Sequence, residues 1–406
     1  MTSGRDRDDG FRLRSVALAA FAPAALFGVA SGAMLPVIVT SAYARGASTA
    51  VTAFIGALLG LGSLLSNIPA GVLATRIGER RAMLAAAAIT LAGLLLCLID
   101  IGRSTASLAV YAGGVFLVGA AGSVYNLARQ SYLTELVPPE MRARALSTLG
   151  GMMRIGVFAG PFLGAAATAA GGVACAYLVS VTAVLGAAAV VHRVPDIELT
   201  PAERLAGAEV TTLTVLREHW RLLATLGLGV LLLSAIRQTR QTVIPLWAHH
   251  LGLSPADSSI VYGIAGAVDA LTFYPAGKVM DLHGRRVVAV PCVLIMGVAC
   301  MVMPLTHGLM GLVIVAMLIG FGNGIGSGIV MTLAADVSPP AGRLTFLGVW
   351  RELSDAGAAL GPVILSAATG VGGLGTGLFV SGCVGLAAGA ALWRWIPRPG
   401  AGTHQR

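Results

Sequence analysis

Eight charged side chains stand inside stretches that are otherwise apolar: Arg129, Arg154, Arg237, Arg240 and Arg351, with Asp269, Glu352 and Asp355. An ionised residue at the centre of a membrane helix costs about 2.5–3.5 kcal/mol on insertion scales, so each needs a partner or a water-filled cavity. A carboxylate near an arginine can lose its proton while the pair is closed and regain it when the pair separates. Asp269 is the first candidate for that chemistry. Asp355, with Arg351 one turn away, and Glu352 follow; a static salt bridge is the alternative for each. Arg237, Arg240 and Gln241 share a helix face. Two guanidinium groups and an amide fit a carboxylate or a phosphate. Alternatively the arginines snorkel to the interface, because Pro245 and Trp247 mark the end of the stretch. Arg129 follows Asn126 by one turn and is read either as a ligand contact or as a partner for Glu135 or Asp336.

Enzyme chemistry finds no support. The five cysteines lie in apolar stretches without CxxC or histidine-flanked spacing, so no metal site is expected. The glycine-rich run from Gly320 to Gly328 lies in an apolar stretch with no strand before it, so it is not read as a phosphate loop.

The elements that hold these residues are membrane helices. Of 406 residues 56% are hydrophobic and only 11% charged, against about 25% charged in soluble domains; mean hydropathy is +0.84. Twelve apolar stretches are expected, at 15–42, 50–74, 82–101, 106–134, 143–169, 173–191, 220–248, 257–280, 287–306, 309–335, 344–369 and 374–396. They group into two six-helix bundles, 15–191 and 220–396, with a charged linker at 192–219 and tails at 1–14 and 397–406. The net charge of +9 sits in loops rather than on a water-facing surface, which argues against nucleic acid. One side of the membrane collects nearly all loop arginines, among them Arg76, Arg80, Arg81, Arg142, Arg285, Arg286 and Arg343; the other has Arg45 and Arg103. That bias predicts a plasma or inner membrane protein with both termini and the linker in the cytoplasm.

The chain is also one half written twice. Gly71, Thr75, Gly78 and Arg80 return 206 positions later as the loop with Gly277, Asp281, Gly284 and Arg286, in which Arg285 stands at the position of Glu79. Gly156, Gly160-Pro161 and Gly164 return 201 positions later as Gly357 and Gly361-Pro362. Twelve helices, a central linker and a Gly-x-x-x-Asp-x-x-Gly-x-Arg-Arg loop after the second helix of each half resemble the major facilitator superfamily. The expected fold is therefore an all-α membrane protein of two pseudo-symmetric six-helix bundles. In that family the loop helps latch the bundles. Its acid caps or pairs with helix ends, and its arginines lie at the anionic leaflet. Here the first copy has Thr75 in place of the acid, and Glu79 where the family often has a base. The glycines and proline of the fifth helix resemble the superfamily's antiporter motif, whereas the fourth-helix arginine motif is missing from the apolar region of Val115–Gly119.

The resemblance implies that the fifth and eighth helices, and the second and eleventh, meet across the bundle interface. Arg154 and Asp355 each lie twelve residues from their loop arginines, Arg142 and Arg343, and Asp269 lies twelve before Asp281. At 1.5 Å per residue each is about 18 Å deep, near the midplane. An Arg154–Asp269 pair is expected on the first contact. On the second, Arg351, Glu352 and Asp355 are expected to face Ser63, Ser66 and Asn67; the repeat sets Ser63 opposite Asp269. Five arginines against three acids predict a neutral to positive cavity. The resemblance thus implies proton-driven export of a small anionic or zwitterionic amphiphile by alternating access, with lipid around it, no cofactor, and a monomer as the working unit. A uniporter or symporter of a small organic anion is the alternative, and a receptor or scaffold with the same fold is a third reading.

Overall fold

The computed structural model describes residues 13–99, 107–137, 142–193, 212–339 and 343–396. The two tails, most of the linker, and the Asp100–Arg103 and Pro138–Met141 segments lie outside the described residues. So do the surroundings of Gly71 and the side chains of Thr75, Glu135, Arg142, Asp281 and Arg343.

Six helices form each half. The first half contains α1 (Leu13–Tyr43), α2 (Thr49–Ile77), α3 (Glu79–Ile99), α4 (Leu108–Leu136), α5 (Arg142–Gly171) and α6 (Val173–His192). After a short helix at Thr212–Glu218 come α7 (Trp220–His250), α8 (Pro255–His283), α9 (Arg285–Leu305) and α10 (Gly308–Val337). The Arg343–Trp395 stretch turns at Gly373 (φ 82°) into α11 (343–372) and α12 (374–395). Among the described residues ten stretches are long and apolar enough to cross a membrane; α11 and α12 run together in one, and α8, which carries Asp257, Asp269 and Lys278, is not among them.

The repeated motifs do the same structural work in both halves. Gly156 and Gly160 of α5 press on α1 so closely that an added Cβ would strike the carbonyl oxygens of Ala25 and Val29. Gly357 and Gly361 of α11 do the same to Leu231 and Ala235 of α7. Gly119 of α4 meets Leu59 of α2, as Gly320 of α10 meets Ala265 of α8. With no side chain between them the backbones reach full van der Waals contact, which is how helices associate in lipid. The loop glycines match too: Gly78 (φ 86°) and Gly284 (φ 89°) adopt the left-handed conformation that lets a chain reverse between consecutive helices.

Arginines of the repeated loops have protein partners. Arg80 donates to the carbonyls of Val191 (3.4 Å) and His192 (2.5 Å) at the end of α6. Its repeat counterpart Arg286 lies over the Trp393 ring of α12, 3.6 Å from the centroid. Arg285 binds both oxygens of Asp336 at the end of α10, at 2.8 and 3.3 Å. Adjoining helix ends thus offer Arg80 and Arg285 carbonyl and carboxylate acceptors within reach.

Candidate functional site

The two bundles close on each other at the end away from the termini. Tyr43 of α1 stacks on His249 of α7, with centroids 3.9 Å apart and planes at 10°. Ser366 of α11 donates to the Ala50 carbonyl of α2 at 2.8 Å. On the side of the termini from this closure lie two adjoining cavities that share Gln238 and Gln241 of α7. The amides of that pair are bonded to each other at 2.8 Å.

The first cavity, about 270 Å³, belongs mainly to the first half. Its wall is apolar, with Phe27, Met34, Leu59, Leu94 and Val118, relieved by a few groups such as Ser31, Ser63 and Asn126. The second cavity, about 430 Å³, is lined by α7, α10 and α11 and contains Arg154, Arg237, Arg240 and Arg351 against Asp355. Arg351 and Asp355 side chains are 42% and 30% exposed. In the middle of α11 that exposure is the cavity itself.

A polar chain crosses the second bundle. Asp269 of α8 accepts from Asn323 of α10 at 2.6 Å and lies 3.7 Å from Arg240 of α7. Asn323 Oδ1 accepts from Arg237 Nε at 2.8 Å, and Arg237 Nη1 reaches the Gly326 carbonyl at 3.3 Å. This corrects the expected direct Arg154–Asp269 ion pair: Asp269 pairs with Arg240, and Arg154 feels its charge only through space. Depth along a helix fixes height but not rotation: α8 turns Asp269 inward to α7 and α10, and Arg154 instead lies over the Phe273 ring, 4.1 Å from its centroid. It also removes the snorkelling alternative for Arg240, which is buried and lies beside the Tyr262 ring.

A second polar cluster spans the two bundles. Asn67 of α2 donates to Asp355 at 2.8 Å and more weakly to Glu352 at 3.5 Å, and its own oxygen accepts from Ser123 of α4. Arg351 donates to Gln130 of α4 at 3.1 Å and lies 3.9 Å from Asp355. Of the three α2 residues expected opposite this cluster, Asn67 makes the contact, whereas Ser63 lines the apolar cavity.

Arg129 is buried, donating to Asn126 at 2.9 Å and to the Met153 sulfur at 3.4 Å, with the Tyr125 ring nearby. Its expected alternative partner Asp336 is held by Arg285 instead. Among the described residues no group of three His, Cys, Asp or Glu is placed to hold a metal ion.

The profile of the Major Facilitator Superfamily matches residues 17–268 and 226–405, nearly the whole chain. The chain belongs to the major facilitator superfamily. Within it, the inner membrane transport protein YnfM of Escherichia coli (strain K12) is 25% identical over 157 residues, 39% of this chain and 38% of that protein, so the match spans well under half of the curated relative's length. The fold is similar to that of the nucleoside transporter NupG (TM-score 0.74, 11% identity, 93% of this chain and 98% of that one). It is also similar to the inward open conformation of the xylose transporter XylE from E. coli (0.71, 16%, 96% and 98%) and the human organic anion transporter MFSD10 (0.64, 15%, 93% and 99%). Identities this low speak for the superfamily fold alone.

Two features of this superfamily member escaped sequence reasoning. The Tyr43–His249 stack joins residues at the ends of two helices in different halves, and nothing in either stretch marks them as neighbours. The run Gly320–Gly328 was read as lying in one apolar helix, but α10 breaks: one segment ends at Ile325 and another starts at Ile329, with Gly328 at φ 87°. Three glycines at 324, 326 and 328 were the available signal, and apolarity concealed it.

Proposed function

We propose that this superfamily transporter exports a small anionic or zwitterionic amphiphile in exchange for protons, by alternating access, as a monomer in the cell membrane with both termini in the cytoplasm. One observation carries the substrate class: an apolar wall and an arginine-bearing wall meet at Gln238 and Gln241. An apolar tail fits the first, and an acidic head fits the second. Arg154, Arg237, Arg240 and Arg351 outnumber the acids Asp269 and Asp355 around that second wall, which disfavours a cationic head. The arginine-rich loops support the orientation.

The proton is assigned to Glu352 and Asp355 rather than Asp269. Asp269 makes its direct contacts, to Asn323 and Arg240, inside its own bundle and reaches Arg154 of the other bundle only through space, so its protonation acts mainly within one body. Glu352 and Asp355 share one amide of the opposite bundle, so a proton on either changes an attraction between the two moving bodies.

The test is purified protein in liposomes enclosing a pH-sensitive dye, given gradients of anionic, zwitterionic and cationic amphiphiles. Protons are expected to move with the anionic or zwitterionic class, and Asp355→Asn is expected to abolish that movement while exchange of substrate for substrate persists. Movement with the cationic class alone would overturn the substrate assignment. Substrate flux without protons in the unmodified protein would leave a uniporter.

A further inference from the structure

We propose that the break in α10 is an anion subsite: the acidic head of the substrate docks between Arg237 and the N-terminus of the Ile329–Val337 segment. The inference rests on the acidic-amphiphile reading above and adds the atoms that receive the head group.

The break creates a helix N-terminus inside the membrane. First-turn N–H groups have no acceptor within their own helix. Here Ile329 reaches the Gly326 carbonyl at 3.3 Å and Thr332 reaches that of Gly328 at 3.0 Å. Val330 and Met331 make no such bond among the described residues. Together with the helix dipole these groups present about half a positive charge, a setting in which anions bind. Gly328, Val330 and Met331 line the basic cavity together with Arg237 and Arg240, so the terminus opens onto it.

Arg240 supplies an independent sign of an anion site. It is 8% exposed, and its Nε and Nη1 have no hydrogen-bond partner. Its contact with Asp269 is 3.7 Å, beyond the roughly 2.7–2.9 Å of a charge-assisted bond. A guanidinium so deeply buried and so poorly bonded is costly unless a ligand completes it.

Arg237 connects the cavity to the break. Its two acceptors are neutral, Asn323 Oδ1 and the carbonyl of Gly326 in the unwound turn itself. A carboxylate or phosphate oxygen forms a bond about twice as strong as a neutral carbonyl does. An arriving head group therefore takes Arg237 from Gly326 and frees the turn. The nine-residue Ile329–Val337 segment that follows carries Asp336, the partner of Arg285 in the repeated loop, so occupancy of the subsite reaches the loop along this helix.

The experiment uses the full chain in phosphatidylcholine nanodiscs and measures Kd calorimetrically for hexyl phosphate, hexyl glucoside and hexyltrimethylammonium. Met331 is 58% exposed, and an aspartate in a first helical turn favours the helix. Met331→Asp thus fills the subsite with its own carboxylate, and Met331→Asn is the uncharged control of the same shape. The expected result is hexyl phosphate bound at least about tenfold tighter than hexyl glucoside. Met331→Asp should raise the phosphate Kd about tenfold with the glucoside Kd unchanged, and Met331→Asn should keep both within about twofold. Equal weakening by Asp and Asn would overturn the subsite. So would an unchanged phosphate Kd in Met331→Asp alongside a raised one in Arg237→Gln; there the acidic reading stands and the head rests on arginines alone. Preference of the unmodified protein for hexyltrimethylammonium, or none for the phosphate over the glucoside, would overturn the acidic reading and the subsite with it.

Discussion

The two halves share a scaffold and differ in what they put inside it. Gly156 and Gly357, Gly119 and Gly320, Gly78 and Gly284 have matching jobs in the two bundles. The interiors diverge. At the position where the first half has Ser63 against an apolar cavity, the second has Asp269 at the centre of a polar chain through Arg240, Asn323 and Arg237. The loops diverge by exchange of sign: buried Glu79 faces Ser131 of α4 at 3.5 Å, and its counterpart Arg285 faces Asp336 of α10. Packing tolerates one solution and is repeated, whereas charge is free to differ, so the polar residues record what each half does.

The sharpest way to break this comparison is to remove one buried arginine from each half. Arg240→Met takes the nearest cation from Asp269 and is expected to destabilise the protein by about 1–3 kcal/mol. Arg129→Met removes a guanidinium that has no carboxylate among the described residues and is expected to be neutral or stabilising. Thermal unfolding in detergent reads both, and equal losses would erase the distinction.

Next in size, Gly156→Val and Gly357→Val should each cost about 1–3 kcal/mol by forcing a helix pair apart. Matching losses of folded protein on size-exclusion chromatography support equivalent packing; a tolerated change in either half ends it. Asn67→Leu should weaken the seam between bundles by about 1–3 kcal/mol, since it leaves Asp355 without its amide donor. Spin-label distances across α2 and α11 should then broaden, and an unchanged distribution would remove Asn67 from the seam. The smallest effect concerns the loops. A double-mutant cycle on Arg285 and Asp336, whose side chains are 29% and 41% exposed, should give a coupling below about 1 kcal/mol.

The fold was legible because its causes are periodic. Apolar stretches of membrane length and glycines repeated at 201 and 206 positions are visible in a bare sequence. The meeting of Asn67 with Asp355 was also within reach, since α2 and α11 cross and counting residues gives their depth. Counting failed for Asp269 because Arg154 and Arg240 lie within reach of similar heights on two helices. Only the rotation of α8 chooses between them, and one carboxylate in an apolar stretch does not encode it. The break in α10 failed for another reason. Gly324, Gly326 and Gly328 permit a turn but also permit close helix contact, as Gly320 and Gly324 do against α8, so composition alone does not separate the two uses.

The closure at the far side combines apolar packing, with Phe162 of α5 on Gly263 of α8 and Ala50 of α2 against Gly370 of α11, with the Tyr43–His249 stack and one hydroxyl bond from Ser366. An aromatic pair contributes about 0.5–1.5 kcal/mol beyond its buried area, and a neutral hydrogen bond about as much. Ratios of that size are within about one or two powers of ten. If the transporter alternates as proposed, these two contacts add only a modest directional term to the packing, so a differential affinity of that order from a bound molecule or a proton would shift the population of the closed mouth.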